Sequence, residues 1–388
     1  MSATTSTSTS ASASATPAAA QGMAGARALT LEEKRFLYRE GYVIVRGAVA
    51  PELVAAAQAR IRAAHKGESL AGDAAMTDLV NRSSVTPILH EVLGQFDPAS
   101  QCQVAITKRS EPGDRFTPPG YRDRDVPYYG AALHMDGSIT IAPPQVPMEG
   151  TPEEIYRKYF AAGPRGDLGR SAAVMGHNFT PMFQDPEMTL GLGSFTAFVF
   201  VSLSDQSREG CGQTALVPRS HHAVERFFQW QRSQGDRLGP EGPRWPRLNH
   251  DVPNRCGLLY MPDAVREELA DESCETTPDG KRWPRPIYAK LMPGDACIAT
   301  WHILHSATRN ETGTESRKNI IFRIRNKSRQ PDKVLTGGSD HPDRGWLGEF
   351  LDYEPGNDPW ERSKSAMCDM WAEWEGMREV VQEQRAGG

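Results

Sequence analysis

The sequence has few cysteines, and no two of the six form a Cys-x-x-Cys pair. Zinc knuckles and redox-active dithiols need closely spaced thiols, so the sequence indicates neither. It also lacks a run of about 20 apolar residues, the length that a membrane-spanning helix requires. Positive charge is not in excess, since the net charge is −5 at pH 7, and no nucleic-acid partner is indicated. Scattered thiols fit a reducing compartment, so we expect a cytoplasmic protein without a membrane span.

Charged side chains are absent from the first 26 residues, a low-complexity run rich in Ser, Thr and Ala. Such a segment cannot bury enough apolar surface to offset its ordering entropy, so residues 1–28 are predicted to be a disordered tail. The remainder, residues 29–388, is predicted to be a single domain. Two irregular stretches, near 141–190 and 222–290, are predicted to be insertions in that domain.

Local patterns predict strands that pack against helices. Thr30 and Glu33 have capping-box spacing ahead of an apolar face, and Gly41 is suited to end that helix. The β-branched stretch 42–49 predicts a strand, and Pro51 is suited to the first position of the next helix. Several apolar strands separated by turns favour a mainly β fold with flanking helices, of the sandwich or jelly-roll type.

Two histidines and one aspartate have the pattern of a metal site. In "HMDG", His134 and Asp136 are separated by one residue, so on an extended strand both can reach one ion while Met135 faces away. His305, in "TWHILHSATRN", offers a second imidazole. Two imidazoles and one carboxylate form the facial triad of non-heme iron(II) oxygenases, which leaves coordination positions open. We therefore predict that His134, Asp136 and His305 are metal ligands and catalytic residues.

An arginine after the distal histidine suits an anionic cosubstrate. Arg317 follows His305 by 12 residues and begins an apolar run. Its planar guanidinium can bind a carboxylate through two nitrogens, which fits a dicarboxylate such as 2-oxoglutarate. Arg323 and Arg325 share the strand parity of Arg317 and are alternatives. Both are further from His305 in sequence, so Arg317 is predicted to bind the cosubstrate.

The histidine assignments also have competitors. A second His-x-Asp triplet, His341 and Asp343, lies in a Gly-, Pro- and Asp-rich stretch typical of a loop. Because it also follows the other histidine candidates in sequence, the first triplet is preferred. His302 lies three residues before His305, and on one strand the two side chains would face opposite sides. His302 is predicted to be a packing residue.

Four separated blocks carry a family resemblance. They are "LTLEEKRFLYREGYVIVRGAVAPELVAAAQARI", "QVAITKRSEPGD" with "ALHMDG", "FTAFVFVSLSDQSREGCGQTALVPRSHH", and "MPGDACIATWHILHSATRN" with "SRKNIIFRI". In order, over roughly residues 29–325, they resemble the phytanoyl-CoA dioxygenase family. The resemblance implies a double-stranded β-helix, the jelly-roll or cupin-like barrel. It also implies Fe(II), 2-oxoglutarate as cosubstrate, and O2.

The resemblance implies roles for further residues. Ser306 and Asn310 match the family turn that follows the distal histidine, which favours His305 over His302. Gln103 stands where some members place a polar residue that faces the active site, so it is predicted to contact the cofactors.

One motif departs from the family pattern. His221 and His222 resemble the end of a Pro-Gly-Ser-His motif that is usually structural, and Ser220 is expected to belong to the turn. Arg219 stands where the family normally has Gly, which leaves the form of this turn open.

The resemblance also implies a reaction. The expected activity is hydroxylation of a C–H bond in a small organic molecule, such as a natural-product intermediate or a lipid, with release of succinate and CO2. Desaturation, epoxidation and ring formation are alternatives, whereas halogenation is disfavoured because halogenating relatives have Gly or Ala at the position of Asp136. A non-catalytic cupin-like binding protein and a zinc hydrolase are less favoured, since neither needs both an open metal site and Arg317.

Overall fold

The computed structural model describes residues 28–110, 133, 135, 140–142, 189–191, 195–235, 238, 243–244, 262–276, 280–327 and 365–387. The predicted tail lies outside these ranges apart from its last residue. The described α-helices are α1 (Leu31–Glu40), α2 (Pro51–Ala63), α3 (Ala74–Asn81), α4 (Val85–Val92), α5 (Ser220–Gln234), α6 (Asp263–Glu268) and α7 (Arg378–Ala386). Two short 3-10 helices, Met370–Glu373 and Glu375–Met377, precede α7.

The described strands are β1 (Tyr42–Val45), β2 (Gln103–Thr107), β3 (Thr140–Ala142), β4 (Thr189–Gly191), β5 (Ala197–Ser202), β6 (Thr214–Leu216), β7 (Glu275–Thr276), β8 (Arg282–Trp283), β9 (Ile287–Tyr288), β10 (Ala296–Thr300), β11 (His305–Ala307) and β12 (Arg317–Ile324). Five of them form one sheet in the order β1-β10-β5-β12-β2, and each neighbouring pair is antiparallel. A three-stranded sheet has the order β11-β6-β9, while β3 pairs with β4 and β7 with β8.

The first helix has the predicted ends. The backbone N–H of Glu33 donates to the Thr30 hydroxyl at 3.2 Å, and the Thr30 N–H donates to the Glu33 carboxylate at 2.8 Å. Gly41 ends α1 in the left-handed region with φ of 84°, and Pro51 is the first residue of α2. The predicted strand 42–49 is shorter in the structure and ends at Val45, because the chain turns at Gly47, where φ is 59°.

The five-stranded sheet has two differently used faces. Alternate side chains, including Val199 of β5 and Phe322 of β12, form an apolar cluster with residues of helices α1 to α4. The intervening side chains, including Phe198 and Phe200, belong to a second cluster that also contains Leu216 of β6. Both sheets therefore contribute to the second cluster. We call the face of the five-stranded sheet that carries Phe198 and Phe200 the inner face. These antiparallel sheets with flanking helices confirm the predicted mainly β class.

A helix at the start of the predicted insertion 222–290 was not foreseen. Helix α5 buries a stripe with helical spacing, including Val224, Phe227 and Phe228, and its polar outer residues dominate its composition. The C-terminal segment packs against it, since the N–H of Met370 donates to Glu225 at 2.9 Å. Burial raises the pKa of this Glu225 carboxyl to about 7.

No helix within the described ranges is long and apolar enough to cross a membrane. The cysteines that the structure describes are free thiols, as expected; Cys256 is not among them.

Candidate active site

His305 is the first residue of β11 and is 6% exposed. Its Nδ1 lies 3.0 Å from the carbonyl oxygen of Ile303. A carbonyl oxygen only accepts hydrogen bonds, so Nδ1 carries a proton and Nε2 is the ring nitrogen through which a metal would bind. A metal-binding imidazole is commonly oriented in this way, by a bond from its other nitrogen to a backbone carbonyl. The geometry of His305 therefore suits a ligand that binds through Nε2.

The ring of Phe198 supports the imidazole of His305. The two ring centroids are 4.8 Å apart and the planes make an angle of 29°. Phe198 stands on β5 opposite Arg323 of β12, and its side chain lies on the inner face. The stacking thus joins the three-stranded sheet, which contains His305, to the inner face of the five-stranded sheet.

His302 has a different environment from that of His305. The premise that both lie on one strand is wrong, because β10 ends at Thr300 and the chain turns before β11 begins. The turn is closed by a bond from the Ile303 N–H to the Thr300 carbonyl, at 3.3 Å. His302 is fully buried, its ring centroid is 3.5 Å from that of Trp301, and its Nε2 lies 3.1 Å from the carbonyl of Met367. These contacts support the packing role predicted for it.

Arg317 is a buried cation at the start of β12, with 5% of its surface exposed. Its Nε donates to the carbonyl of Gly212 at 2.7 Å, and its Nη1 donates to the carbonyl of Ala105 at 3.4 Å. Within the described part of the chain no carboxylate forms an ion pair with this guanidinium. Burial lowers the pKa of Arg317 to about 10, so the side chain is still charged at neutral pH. A buried charge without a counterion is costly, and an anion bound beside it would offset that cost.

A buried polar network adjoins Arg317 on the inner face. Asn319, two residues along β12, accepts from Nε2 of Gln206 at 2.7 Å and donates to the Thr214 hydroxyl at 3.4 Å. The sequence analysis did not identify Asn319, although its strand parity with Arg317 is a signal that could have found it.

Gln103 and Arg323 form a pair on the same face. Gln103 stands opposite Ile321 in the β2–β12 pairing, and its Oε1 accepts from Nη1 and Nη2 of Arg323 at 3.1 Å each. The guanidinium carbon of Arg323 lies 5.8 Å from the ring centroid of Phe195. The structure thus puts Gln103 on the inner face, in contact with Arg323; its predicted contact with the cofactors stays a prediction.

The first His-x-Asp triplet lies largely outside the described residues. His134 and Asp136 are not described, whereas their neighbours Leu133 and Met135 are buried in the second apolar cluster with Phe198. In the described part of the chain, no three His, Cys, Asp or Glu side chains form a group suited to a metal ion. The alternative triplet, at 341–343, is also outside the described residues.

The motif that resembles the Pro-Gly-Ser-His sequence is structural here. Nε2 atoms of His221 and His222 lie 2.8 and 2.9 Å from the carbonyl oxygen of Tyr38 in α1. Burial is the largest cause that lowers their pKa values, that of His222 to about 4. The hydroxyl of Ser220 donates to the Val217 carbonyl at 2.7 Å, which closes the turn.

Arg219, which replaces the usual Gly of this motif, adopts the conformation that favours Gly. Its φ is 66° and its ψ is −3°, in the left-handed region. The turn is therefore kept without glycine, and Arg219 Nε lies 3.3 Å from the carboxylate of Glu40.

Comparison with known proteins gives matches to solved structures alone. No protein-family model matches the sequence, and no curated protein matches it either. The chain is similar to the epimerase SnoN, solved with Fe3+, alpha ketoglutarate and nogalamycin RO: 16% of residues are identical, the match covers 84% of this chain and 90% of that one, and the TM-score is 0.37.

Two further solved structures are similar to the chain. One is HygX from Streptomyces hygroscopicus with nickel and 2-oxoglutarate bound, at 13% identity over 77% of this chain and 87% of that one, with a TM-score of 0.38. The other is the non-heme alpha ketoglutarate dependent carbocyclase SnoK from nogalamycin biosynthesis, at 12% identity over 79% and 88%, also with a TM-score of 0.38. At these identities and TM-scores the likeness assigns no role to any residue of this chain.

Proposed function

We propose that the chain is an Fe(II)- and 2-oxoglutarate-dependent oxygenase with a double-stranded β-helix core. The proposed reaction is hydroxylation of a C–H bond in a small organic molecule. His134, Asp136 and His305 are proposed as the iron ligands, and Arg317 as the residue that binds the distal carboxylate of 2-oxoglutarate. Desaturation, epoxidation and ring formation are alternative outcomes at the same site, and the mass of the product distinguishes them.

The observation that carries this proposal is the buried guanidinium of Arg317. Its hydrogen bonds to the carbonyls of Gly212 and Ala105 fix its direction without neutralising its charge. A carboxylate ligand would supply the missing negative charge and form charge-assisted hydrogen bonds, which are stronger than neutral ones. A non-catalytic binding protein or a zinc hydrolase gives this cation no role. The donor set of Arg317 therefore fits a dicarboxylate cosubstrate.

His305 supports the same proposal from the metal side. Its Nδ1 donates to the Ile303 carbonyl, which leaves Nε2 as the nitrogen that can ligate iron. The stacking on Phe198 holds the imidazole plane, so the ligand is oriented before the metal binds. His134 and Asp136 are proposed as its partners on their sequence pattern.

The protein residues would orient the reactants and exclude water. When bound, iron, 2-oxoglutarate and O2 together supply the oxidising power for the attack on a C–H bond, with succinate and CO2 as coproducts. Arg317 would fix one end of the cosubstrate. The apolar side chains of Phe198 and Phe200, on the same face, would keep water from the reacting groups.

The test measures binding and turnover separately. Anaerobic calorimetry with Fe(II)-loaded protein should detect 2-oxoglutarate binding, and aeration should then yield succinate even without substrate, at a low rate. Arg317→Ala should keep Fe(II) but lose more than about tenfold in affinity for 2-oxoglutarate, because a buried charge-assisted contact contributes ~2–5 kcal/mol. Arg317→Lys should recover part of it, since an ammonium cannot reproduce the planar fork.

A matched control is Arg82→Ala, because the Arg82 side chain is 70% exposed and caps the C-terminus of α3, whose buried residues belong to the first apolar cluster and not to the inner face. It should bind 2-oxoglutarate as the wild type does. Unchanged affinity in both Arg317 variants would contradict the assignment of this residue, and oxygen-independent or absent succinate formation would contradict the proposed function.

A further inference from the structure

Ser220 is linked to the proposed iron ligand His305 by a chain of hydrogen bonds. The hydroxyl of Ser220 donates to the Val217 carbonyl at 2.7 Å and accepts from the N–H of Leu304 at 2.9 Å. That N–H and the carbonyl of Ile303 belong to one planar peptide unit. The Ile303 carbonyl in turn accepts from Nδ1 of His305 at 3.0 Å. A single peptide unit therefore separates Ser220 from the bond that orients the imidazole.

We infer that Ser220 is a positioning residue for His305, because its hydroxyl fixes the peptide unit whose carbonyl holds the imidazole. The inference rests on the proposed function, since it takes His305 as an iron ligand. It gives Ser220 a role beyond closing the turn at the start of α5.

The peptide unit between Ile303 and Leu304 lies in the turn between β10 and β11. The next peptide unit along the chain is held by the main chain, because the N–H of Val217 donates to the Leu304 carbonyl at 2.8 Å. The Ile303–Leu304 unit is held by side chains instead, with Ser220 at its N–H and His305 at its carbonyl. Ser220 and Leu304 are both fully buried. Loss of the hydroxyl would leave a buried N–H without its acceptor and allow the unit to rotate away from Nδ1.

The direction of the chain strengthens the bond to His305. Each group in it accepts on one side and donates on the other, from Nδ1 of His305 through the peptide unit and the Ser220 hydroxyl to the Val217 carbonyl. Hydrogen bonds arranged in this way polarise one another. A stronger bond from Nδ1 also makes the opposite ring nitrogen a better ligand. Ser220 would therefore affect both the direction of the imidazole and its affinity for iron.

Ser220 is itself held rigidly. It is the first residue of α5, and its own N–H donates to the Val217 carbonyl at 3.3 Å. The next residue, His221, is tied to α1, since its Nε2 lies 2.8 Å from the carbonyl oxygen of Tyr38. Helix α5 is packed into the second apolar cluster through residues such as Phe228. A side chain on a packed helix supports a site more precisely than one on a loop.

Ser83 provides a matched control for Ser220. It is also a buried serine, and its hydroxyl donates to the Leu79 carbonyl at 2.7 Å and accepts from the N–H of Val85 at 3.2 Å. Leu79 and Val85 belong to the first apolar cluster, with helices α1 to α4. Ser220→Ala and Ser83→Ala should therefore lower the melting temperature by similar amounts. A difference between them in metal binding is then separate from a general loss of stability.

Anaerobic calorimetry on the full-length proteins measures the Kd for Fe(II). Ser220→Ala should raise this Kd about tenfold, the lower end of the loss that follows removal of a group behind a metal ligand. Ser83→Ala should leave it unchanged. With iron saturating, Ser220→Ala should bind 2-oxoglutarate as the wild type does, because Arg317 is untouched. Ser220→Cys nearly keeps the side-chain size and carries a weaker acceptor, so it should show part of the loss even if Ser220→Ala does not fold.

Proton NMR gives a second readout that does not depend on turnover. Zn(II), which is diamagnetic and accepts the same kinds of ligand, stands in for Fe(II). The Nδ1 proton of His305, assigned by its absence from His305→Ala, should lie far downfield in the wild type and in Ser83→Ala. In Ser220→Ala and Ser220→Cys it should move upfield and exchange faster with water, because the bond to the Ile303 carbonyl is weaker.

Three results would overturn the role of Ser220. They are an unchanged Fe(II) affinity in both Ser220 variants, an equal loss of Fe(II) affinity in Ser83→Ala, and an Nδ1 proton of His305 that the Ser220 variants leave unaltered. In each of these cases the wild type still binds Fe(II), and the proposed function stands. A wild type that binds no Fe(II) would overturn the proposed function and this inference together.

Discussion

Gly212 lies directly against the side chain of Arg317. Its carbonyl accepts the Nε hydrogen bond at 2.7 Å, and its φ is 75°, in the left-handed region. A Cβ added to Gly212 would lie 3.2 Å from the Cβ of Arg317 and 3.1 Å from the Cβ of Asn310. Glycine is therefore required here both by the backbone and by the closeness of the buried cation.

The first prediction concerns this contact. In Gly212→Ala the added Cβ should push the backbone carbonyl of residue 212 away from Nε of Arg317. The KM for 2-oxoglutarate should therefore rise, and the free energy of unfolding should fall. The matched control is Gly67→Ala, because Gly67 has φ of 87° and nothing lies within 4 Å of its added Cβ. Both variants incur the left-handed penalty of roughly 1–2 kcal/mol in unfolding free energy. A raised KM in both, or in neither, would contradict the role of Gly212.

The second prediction concerns the metal. His134→Ala, Asp136→Ala and His305→Ala should each abolish tight binding of one Fe(II) per chain, because the facial triad has no spare ligand. His302→Ala should retain the iron and lower the melting temperature, since it removes a packed side chain. Asp343→Ala should behave like the wild type. The iron content of each variant is measured by mass spectrometry after anaerobic gel filtration. Loss of iron in His302→Ala but not in His305→Ala would make His302 the distal ligand instead of His305.

The third prediction concerns the left-handed residue Arg219. Arg219→Gly should relieve the backbone strain and Arg219→Ala should not, while both lose the ion pair with Glu40. The glycine variant should therefore be more stable than the alanine variant by roughly 1 kcal/mol in chemical denaturation. Equal stability of the two variants would mean that the turn is not left-handed in solution.

The fourth prediction is a pH dependence of stability that depends on Glu225. Burial raises its pKa from 4.5 to about 7 in the folded protein. Between these values the folded state binds a proton that the unfolded state releases, so this group's contribution to stability falls as pH rises from 4.5 through 7. Glu225→Gln should remove that fall. The difference in unfolding free energy between Glu225→Gln and the wild type should therefore rise by roughly 3 kcal/mol, in favour of the variant, from pH 4.5 to pH 7.

Arg385 allows the pKa of Glu225 to be shifted while the carboxyl itself is kept. Its Nη2 lies 3.9 Å from the Glu225 carboxylate and lowers the pKa of that group. Arg385→Gln should therefore move the pH transition upward, whereas Glu225→Gln should abolish it. Thermal denaturation from pH 4 to pH 8 follows both, and a wild-type profile unchanged by Glu225→Gln would contradict the assignment.

Features set by local spacing could be predicted from the sequence. The cap of α1 by Thr30 and Glu33, its end at Gly41 and the start of α2 at Pro51 depend on neighbours within a few residues. Their physical causes, a side-chain bond to a backbone N–H, a left-handed φ and a fixed φ, act without the rest of the fold. Each is found in the structure where the pattern predicted it.

Contacts between distant strands could not be predicted in the same way. The partner of Gln103 is Arg323, and this follows from the register of β2 against β12, which tertiary packing determines. Strand parity alone therefore left Arg323 as an unexplained alternative to Arg317. The turn that separates His302 from His305 was also missed, because an apolar run does not mark where a strand ends.

The order of strands in the large sheet has a consequence for synthesis of the chain. Strand β1 pairs only with β10 in this sheet, and β2 pairs only with β12. Strand β5 pairs with both β10 and β12, so each of these three strands precedes all its partners in the sequence. During translation β1, β2 and β5 leave the ribosome long before any partner in this sheet exists. Strand β5, "AFVFVS", is fully buried in the finished fold and is an apolar, uncharged segment of the kind that aggregates when exposed. Efficient production of this protein should therefore depend on chaperones that cover β5 until the last third of the chain has been made.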